Sequence, residues 1–218
     1  MALEKQTKAA MDNMYRFTRH VYDATRKYYL LGRDHLIRNI KPESHETVCE
    51  IGCGTARNLR KMAVRYPGIV FYGIDASEEM LKTARVIMAR RGLTDQVQLA
   101  LGFAQSFDPA KTFNLEKPFD KIVFSYALSI IPPWRESIDN ALKILKTGGE
   151  IHIVDFGGQE GMPPQFRRFL LWWLAKFHVY HKPEILNYLR RLEAEKQGTL
   201  RVENLYNGYC WYAVFRKA

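Results

Sequence analysis

The sequence predicts an α/β fold: a seven-stranded, mostly parallel sheet that ends in an antiparallel hairpin. Three observations predict it. From residue 47 to 157, short apolar stretches that suit strands alternate with longer stretches of helical periodicity, the pattern of a parallel sheet with right-handed crossovers. A glycine turn, Gly52-Cys53-Gly54, stands between the first strand and the first helix of that series. Near the end of the chain, TLRVENLY and YCWYAVFRK flank Asn207-Gly208, a strong signal for a two-residue hairpin turn.

Each element follows from its own residues. Residues 1–44 are polar and aromatic, with helical character up to Lys41-Pro42, and are expected to form a helical cap over the active site. The core, 45–218, begins with a strand at 47–51, in which Val48 and Ile51 are apolar. A helix at 55–65 carries Ala56, Leu59, Ala63 and Val64 toward the sheet. GIVFYGID at 68–75 is the second strand, and it ends in Asp75. Ser77 then caps a helix at 77–91, with Glu78 and Glu79 in its first turn and Gly92 as its stop. Strands follow at 96–101 and 119–128, and a helix at 134–146 is expected to end at Gly148-Gly149. EIHIVDFG at 150–157 is the fifth strand.

Composition narrows the function. A chain of 218 residues with 47% hydrophobic content is long enough for one domain with a substantial core. No apolar run approaches the roughly 20 residues of a membrane-spanning helix, and the first residues lack a secretory apolar region. Cys49, Cys53 and Cys210 are an odd number without metal spacing, so no metal site is expected and a reduced, cytoplasmic setting is. With 33 basic against 23 acidic side chains the net charge is +10. That balance favours an anionic partner, whether nucleic acid, membrane or small molecule. No nucleic-acid-binding motif accompanies it.

The glycine turn suggests a nucleoside-bearing ligand. Two glycines this close let a ligand approach the backbone, and the N–H groups at the following helix start attract an anion. An acid at the end of the second strand suits ribose hydroxyls. The dinucleotide fingerprint nevertheless fails, because its sixth position is Arg57. The spelling Glu50-Ile51-Gly52-Cys53-Gly54-Thr55 instead resembles motif I of the class I methyltransferases that use S-adenosylmethionine, whose fold is Rossmann-like. The resemblance implies cofactor contacts from Glu50, Gly52, Cys53, Gly54 and Asn58, and a ribose contact from Asp75 beside Ala76. It further implies an adenine position at Phe103-Ala104, a contact from Ser125 after the fourth strand, and one from Tyr28. Two departures stand out: Ala56 where many relatives have a third glycine, and Phe103 where many carry an acid. The Phe103 ring is expected to stack on or enclose adenine.

Two stretches are less generic. Between 19 and 33, Tyr22, Tyr28 and Tyr29 interleave with Arg19, Arg26, Lys27 and Arg33. Helix packing on the sheet accounts for the apolar spacing there and leaves the tyrosine–cation mixture unexplained. Between 162 and 182, Phe166, Phe169, Leu170, Trp173, Leu174 and Phe177 form one helical face, broadened by Leu171 and Trp172 and edged by Arg167, Arg168 and Lys176. Two readings stand: a helix lying in an anionic membrane surface, or a lid buried on its own domain.

YDATRKYYLLGRD, EIGCGTARN and DFGGQEGMPPQFRRFLLWWLAKFHV together resemble the bacterial diacylglyceryl-homoserine N-methyltransferases over nearly the whole chain. The resemblance implies three successive methylations of the amino group of a diacylglycerol-based amine lipid, giving the betaine lipid diacylglyceryl-N,N,N-trimethylhomoserine. It implies a site at the inner face of the cell membrane, peripheral and cytoplasmic, with the enzyme that makes diacylglyceryl-homoserine as a further expected partner. Tyr22 and Tyr126 are the predicted catalytic residues. Arg26, Tyr29, Arg33, Phe156 and His178 are the predicted substrate contacts, with the aromatic faces receiving the growing ammonium and a cation the carboxylate. A strong general base is optional, although His178, Tyr180 and His181 are candidates. The competing readings are a phosphatidylethanolamine or quinone methyltransferase and a membrane-binding protein with a relic cofactor fold. A nucleic-acid methyltransferase lacks support, because Ser125-Tyr126-Ala127-Leu128 replaces its Asn/Asp-Pro-Pro-aromatic signature.

Overall fold

The computed structural model describes residues 30–165, 167–168, 172 and 181–218. A short helix, α1 (Arg33–Asn39), leads into β1 (Val48–Ile51), α2 (Arg57–Arg65), β2 (Phe71–Asp75), α3 (Glu78–Arg90) and β3 (Val97–Leu101). The second half runs α4 (Pro109–Phe113), β4 (Phe119–Ser125), α5 (Trp134–Ile144), β5 (Leu145–Phe156), α6 (Pro183–Ala194), β6 (Gly198–Leu205) and β7 (Cys210–Lys217). The strands form one seven-stranded sheet in the order β3-β2-β1-β4-β5-β7-β6. The first five pair in parallel, while β7 lies antiparallel to both β5 and β6. Among the five parallel strands, chain order runs outward in both directions from the β1/β4 pair. That reversal opens a crevice beyond the carboxyl ends of those strands, where ligands of such sheets bind.

Alternation along the strands feeds a core on each face. Val48, Leu59, Leu81 and Val154 belong to the layer under α1, α2 and α3, whereas Cys49, Ile138, Ile153 and Leu189 belong to the layer under α5 and α6. α2 sits close to the sheet because of a glycine: a Cβ on Gly73 would lie 2.4 Å from Leu59 Cδ1. Burying Leu59 completely stabilises the fold by about 1.5–3 kcal/mol. α3 begins as expected, with the Ser77 hydroxyl accepting from the Met80 N–H at 3.4 Å and Glu78 and Glu79 in the first turn.

Several boundaries differ from the sequence expectation. α5 stops at Ile144, and Gly148-Gly149 do not cap it. Leu145 is already extended and pairs with Phe119, yet the next pair is Lys121 with Glu150. Residues 146–149 therefore bulge out of β5, with Gly148 at φ 75. The fourth strand ends at Ser125 instead of 128, because Tyr126 takes φ 55 and turns the chain. The hairpin turn is the expected one: Asn207 and Gly208 both have positive φ, and the Tyr209 N–H donates to the Tyr206 carbonyl at 3.1 Å.

The amino end of the sheet carries a paired polar network. His152, 2% exposed, reaches the Tyr212 hydroxyl at 2.7 Å through Nδ1 and Glu150 Oε2 at 3.1 Å through Nε2. Lys121 Nζ donates to the same Glu150 oxygen at 2.8 Å. The His152 contact and the Lys121 charge outweigh burial and hold the Glu150 carboxyl down at about 2. Among the described residues no helix is long and apolar enough to cross a membrane, and no cluster of three or more His, Cys, Asp or Glu could hold a metal. Residues 1–29 of the expected cap lie outside the described residues, as do 166, 169–171 and 173–180 of the aromatic stretch.

Candidate active site

The glycine turn is anchored by backbone bonds to β2. The N–H groups of Gly52 and Cys53 both donate to the Ile74 carbonyl, at 2.8 and 3.0 Å. Gly52 lies at φ 76, and a Cβ there would come 3.0 Å from the Ala127 Cβ, so the turn and the loop after β4 approach only because residue 52 is glycine. Asp75, 6% exposed, completes the anchor. Its Oδ2 accepts the Gly54 N–H at 2.8 Å, and its Oδ1 accepts the Ser77 N–H at 2.9 Å. One carboxylate thus fixes the turn to the start of α3. An ionised carboxylate has about four lone-pair sites, so these two bonds are compatible with the expected hold on ribose hydroxyls.

Ala56 explains why relatives favour glycine at its position. It is the residue before α2, at φ 58 and ψ 33, with no side-chain cap. A non-glycine residue in that left-handed region costs roughly 1–2 kcal/mol. The first N–H groups of α2 gain no side-chain partner from it and face the turn.

Glu50 is the least ordinary group in the site. At 2% exposure, its Oε1 accepts from Asn58 Nδ2 at 2.7 Å, while Oε2 is enclosed with no hydrogen-bond partner. Burial pushes the carboxyl up to about 7 against the pull of Asn58, Arg33 and Arg57, and the charge of Asp75 adds to the rise. The Ser125 hydroxyl, at the end of the neighbouring β4, is likewise enclosed without a partner. After β3, the Gly102 N–H donates to the Asp75 carbonyl at 3.1 Å, and half-buried Phe103 and buried Ala104 follow. Ala104 is held by Asn140, whose amide donates to its carbonyl at 3.1 Å. A turn with glycine at two of its three positions, two buried carboxylates, and an orphaned carboxylate oxygen and hydroxyl fit a ligand that brings hydrogen-bond donors and positive charge, as S-adenosylmethionine does through its ammonium and sulfonium.

The other half of the site is aromatic. The Tyr126 hydroxyl donates to the Leu31 carbonyl, which supplies the partner that a buried phenol requires. Its ring meets Phe156 edge-on with centroids 4.5 Å apart, and Phe156 meets Tyr209 at 6.1 Å. Burial pushes the Tyr126 hydroxyl well above its usual range, so it stays protonated at neutral pH. The predicted catalytic tyrosine therefore ties the segment before α1 to the end of β4. The Phe156 carbonyl accepts from Trp211 Nε1 at 3.0 Å and pairs with His181 Nδ1 at 2.9 Å, which gives His181 a structural bond. Arg33 is buried, its Nε donates to the Leu30 carbonyl at 3.1 Å, and its charge reaches Glu50, so it belongs to the cofactor half. Tyr22, Arg26, Tyr28, Tyr29, His178 and Tyr180 lie outside the described residues.

Asp155 was not among the expected site residues. It is 1% exposed and accepts the N–H groups of Ser129 at 3.0 Å and Phe156 at 2.8 Å, bracing the ends of β4 and β5. Burial pushes it up to about 6. Lys182 lies alongside, donating to the Leu128 carbonyl at 3.3 Å. Its sequence signal is an acid at the end of the fifth strand, the same placement as Asp75.

Comparison with known proteins agrees with this geometry. Residues 42–204 match the model of a family described as a methyltransferase domain. Over 117 residues the chain is 29% identical to a phosphatidylethanolamine N-methyltransferase of Cereibacter sphaeroides, covering 53% of each. Over 140 residues it is 27% identical to a demethylmenaquinone methyltransferase of Clavibacter sepedonicus, covering 62% of this chain and 53% of that one. The chain thus spans about half the length of these curated relatives. The solved plantazolicin methyltransferase BpumL, in complex with a triazolic desmethylPZN analog and SAH, shares the fold at 13% identity. Its TM-score is 0.68, over 99% of this chain and 97% of that one.

Proposed function

The chain belongs to the methyltransferase domain family, and we propose that it takes its methyl group from S-adenosylmethionine and that its acceptor is diacylglyceryl-homoserine. The amino group is methylated three times, to diacylglyceryl-N,N,N-trimethylhomoserine, at an anionic membrane surface. The observation that carries this reading is the spelling of residues 22–34 and 155–179, which resembles the diacylglyceryl-homoserine N-methyltransferases on both sides of the cofactor turn. The likeness to a protein named for N-methylation of phosphatidylethanolamine supports an amine-lipid acceptor.

The bound cofactor supplies an electrophilic methyl group on a sulfonium. Gly52, Cys53 and Gly54 would hold its amino-acid end, Asp75 and Ala76 the ribose, and Phe103 and Ala104 the adenine. Glu50, Asn58, Ser125 and Tyr28 complete the hold. The chain's task at the acceptor is to deliver a neutral nitrogen in line and to exclude water. An α-amino group titrates at about 8, so a useful neutral fraction exists without a strong base. Tyr126, Phe156 and Tyr209 form an aromatic wall that suits a nitrogen becoming quaternary. Tyr22, Arg26, Tyr29 and His178 are the acceptor contacts of the proposal, while Arg33, expected there too, lies with Glu50 in the cofactor half. The net charge of +10 and the exposed Trp172, in the same stretch of chain as Arg167 and Arg168, favour docking on anionic lipid, each surface cation contributing about 1 kcal/mol.

The likenesses to phosphatidylethanolamine and demethylmenaquinone methyltransferases keep a second reading, in which one of those lipids is the acceptor. An assay that offers all three lipids together with labelled cofactor separates the readings. Label in the homoserine lipid supports the first, and label confined to either competitor replaces it.

A further inference from the structure

Among the described residues, enclosed side-chain polar atoms without a hydrogen-bond partner occur at Glu50, Ser125, Ser129 and Gln159. All four lie at the carboxyl ends of β1, β4 and β5 or in the loops that follow. Gln159 differs from the rest, because both its amide nitrogen and its amide oxygen are orphaned, at 0% exposure. Leaving a buried donor and a buried acceptor unmade forfeits the hydration of both. Native proteins keep few such groups, and a bound molecule is one of the things that satisfies them.

The loop that carries Gln159 is fixed against the hairpin turn. A Cβ on Gly157 would lie 2.2 Å from the Gly208 carbonyl oxygen, and one on Gly161 would lie 2.8 Å from that of Asn207. The Gln159 N–H donates to the Gly208 carbonyl at 2.9 Å, and the Met162 N–H donates to the Gln159 carbonyl at 3.1 Å. Gln159 itself is held at φ 61, a conformation that a non-glycine residue keeps only when its surroundings impose it. Backbone bonds and two glycines thus set the position of the residue, while its amide is left without a partner. This residue stands three positions after Phe156, whose ring packs between Tyr126 and Tyr209. It follows β5, which ends in Phe156 and lies two strands away from the strand that leads into the glycine turn, and its backbone is bonded to the hairpin turn next to Tyr209.

An uncharged amide donates and accepts at once. Its complement is a group that presents an anionic oxygen and an N–H together, as the carboxylate and amine of an amino-acid head do. We infer that Gln159 binds the polar head of the methyl acceptor, Nε2 donating to the carboxylate and Oε1 accepting from the amine. The inference rests on the amine-lipid reading above. Gln159 takes no proton from the nitrogen; it positions it. A neutral primary amine has two N–H groups, its monomethyl form one and its dimethyl form none, so the Oε1 contact fades as methylation proceeds.

The test compares Gln159→Met, which keeps length and loses the amide, with Gln159→Glu, which keeps an acceptor and repels a carboxylate. Gln159→Met should raise KM for diacylglyceryl-homoserine in mixed micelles roughly tenfold, leave KM for S-adenosylmethionine within about twofold, and leave Tm unchanged or higher. The acceptor effect should be largest for the unmethylated lipid and smallest for the dimethyl lipid. Gln159→Glu should raise the acceptor KM further. A lowered Tm with an unchanged acceptor KM in Gln159→Met would overturn the inference, since the amide would then be paired through a buried water. If the wild-type protein leaves diacylglyceryl-homoserine unmethylated, the amine-lipid reading fails by itself. The KM and Tm comparison on the lipid it does methylate still decides whether Gln159 recognises that acceptor.

Discussion

Two glutamates, Glu50 buried and Glu150 partly exposed, mark the two ends of the sheet. Glu150, at the amino end, shares one oxygen between Lys121 and His152 and is held down at about 2. Glu50, at the carboxyl end, has one oxygen on Asn58 and one with no partner, and is pushed up to about 7. The same side chain in the same sheet is satisfied where the fold needs support and left half-satisfied beside the proposed cofactor turn. The contrast extends beyond the pair. Polar groups around Glu150 are matched to one another, whereas Glu50, Ser125, Ser129 and Gln159 all keep orphaned atoms. Stability and binding are thus assigned to opposite ends of the strands.

The largest expected effect breaks this division at its joint. Asp75→Ala removes the acceptor for both the Gly54 and Ser77 N–H groups. Affinity for S-adenosylhomocysteine, measured by calorimetry, should fall by roughly a hundredfold or more. Unchanged affinity would remove Asp75 from the cofactor site. Next, Tyr126→Phe frees the Leu31 carbonyl and loosens the segment before α1. Turnover should fall several-fold and stability by about 1 kcal/mol, with cofactor affinity nearly unchanged. Equal losses in turnover and cofactor affinity would move Tyr126 to the cofactor half.

The glutamates themselves give opposite pH signatures. Because the folded protein raises Glu50 to about 7 from the ordinary 4.5, the stability this group contributes is full below 4.5 and is lost as pH rises through 7. Because it lowers Glu150 to about 2, that contribution is present above 4.5 and lost as pH falls toward 2. Melting curves of the cofactor-free protein should show Glu50→Gln gaining stability relative to wild type between pH 5 and 8, and Glu150→Gln losing it at neutral pH. If Glu50→Gln melts below wild type at pH 8, Glu50 is a support like Glu150. The smallest expected effect is Ala56→Gly. Relief of the left-handed strain, less the added freedom of the unfolded chain, should stabilise by up to about 1 kcal/mol in denaturant titration.

Much of the amino-acid logic could be read before the fold was seen. Ser77 before two glutamates announces a helix start, Asn207-Gly208 a hairpin, and Gly52 through Gly54 a tight turn after a strand, because each uses a local device with a local spelling. The bulge in β5 was not legible, since Gly148-Gly149 spell a helix stop and a bulge equally well. The strain at Ala56 was visible only as a missing glycine. Asp155 and Gln159 went unread for a different reason. Their meaning comes from what distant segments fail to offer them or bring to them, such as the Ser129 N–H for one and the hairpin turn for the other. Glycines on both sides of Gln159 were the one available hint.

The most direct test of the central claim is a reconstitution with purified protein, S-adenosylmethionine and diacylglyceryl-homoserine in anionic mixed micelles, with the lipid products weighed by mass spectrometry. The expected result is successive gain of one, two and three methyl groups on the homoserine nitrogen, at a rate that rises with pH toward about 8 as the amine loses its proton. A lipid recovered without methyl groups, under conditions where the same protein methylates phosphatidylethanolamine or demethylmenaquinone, would contradict it.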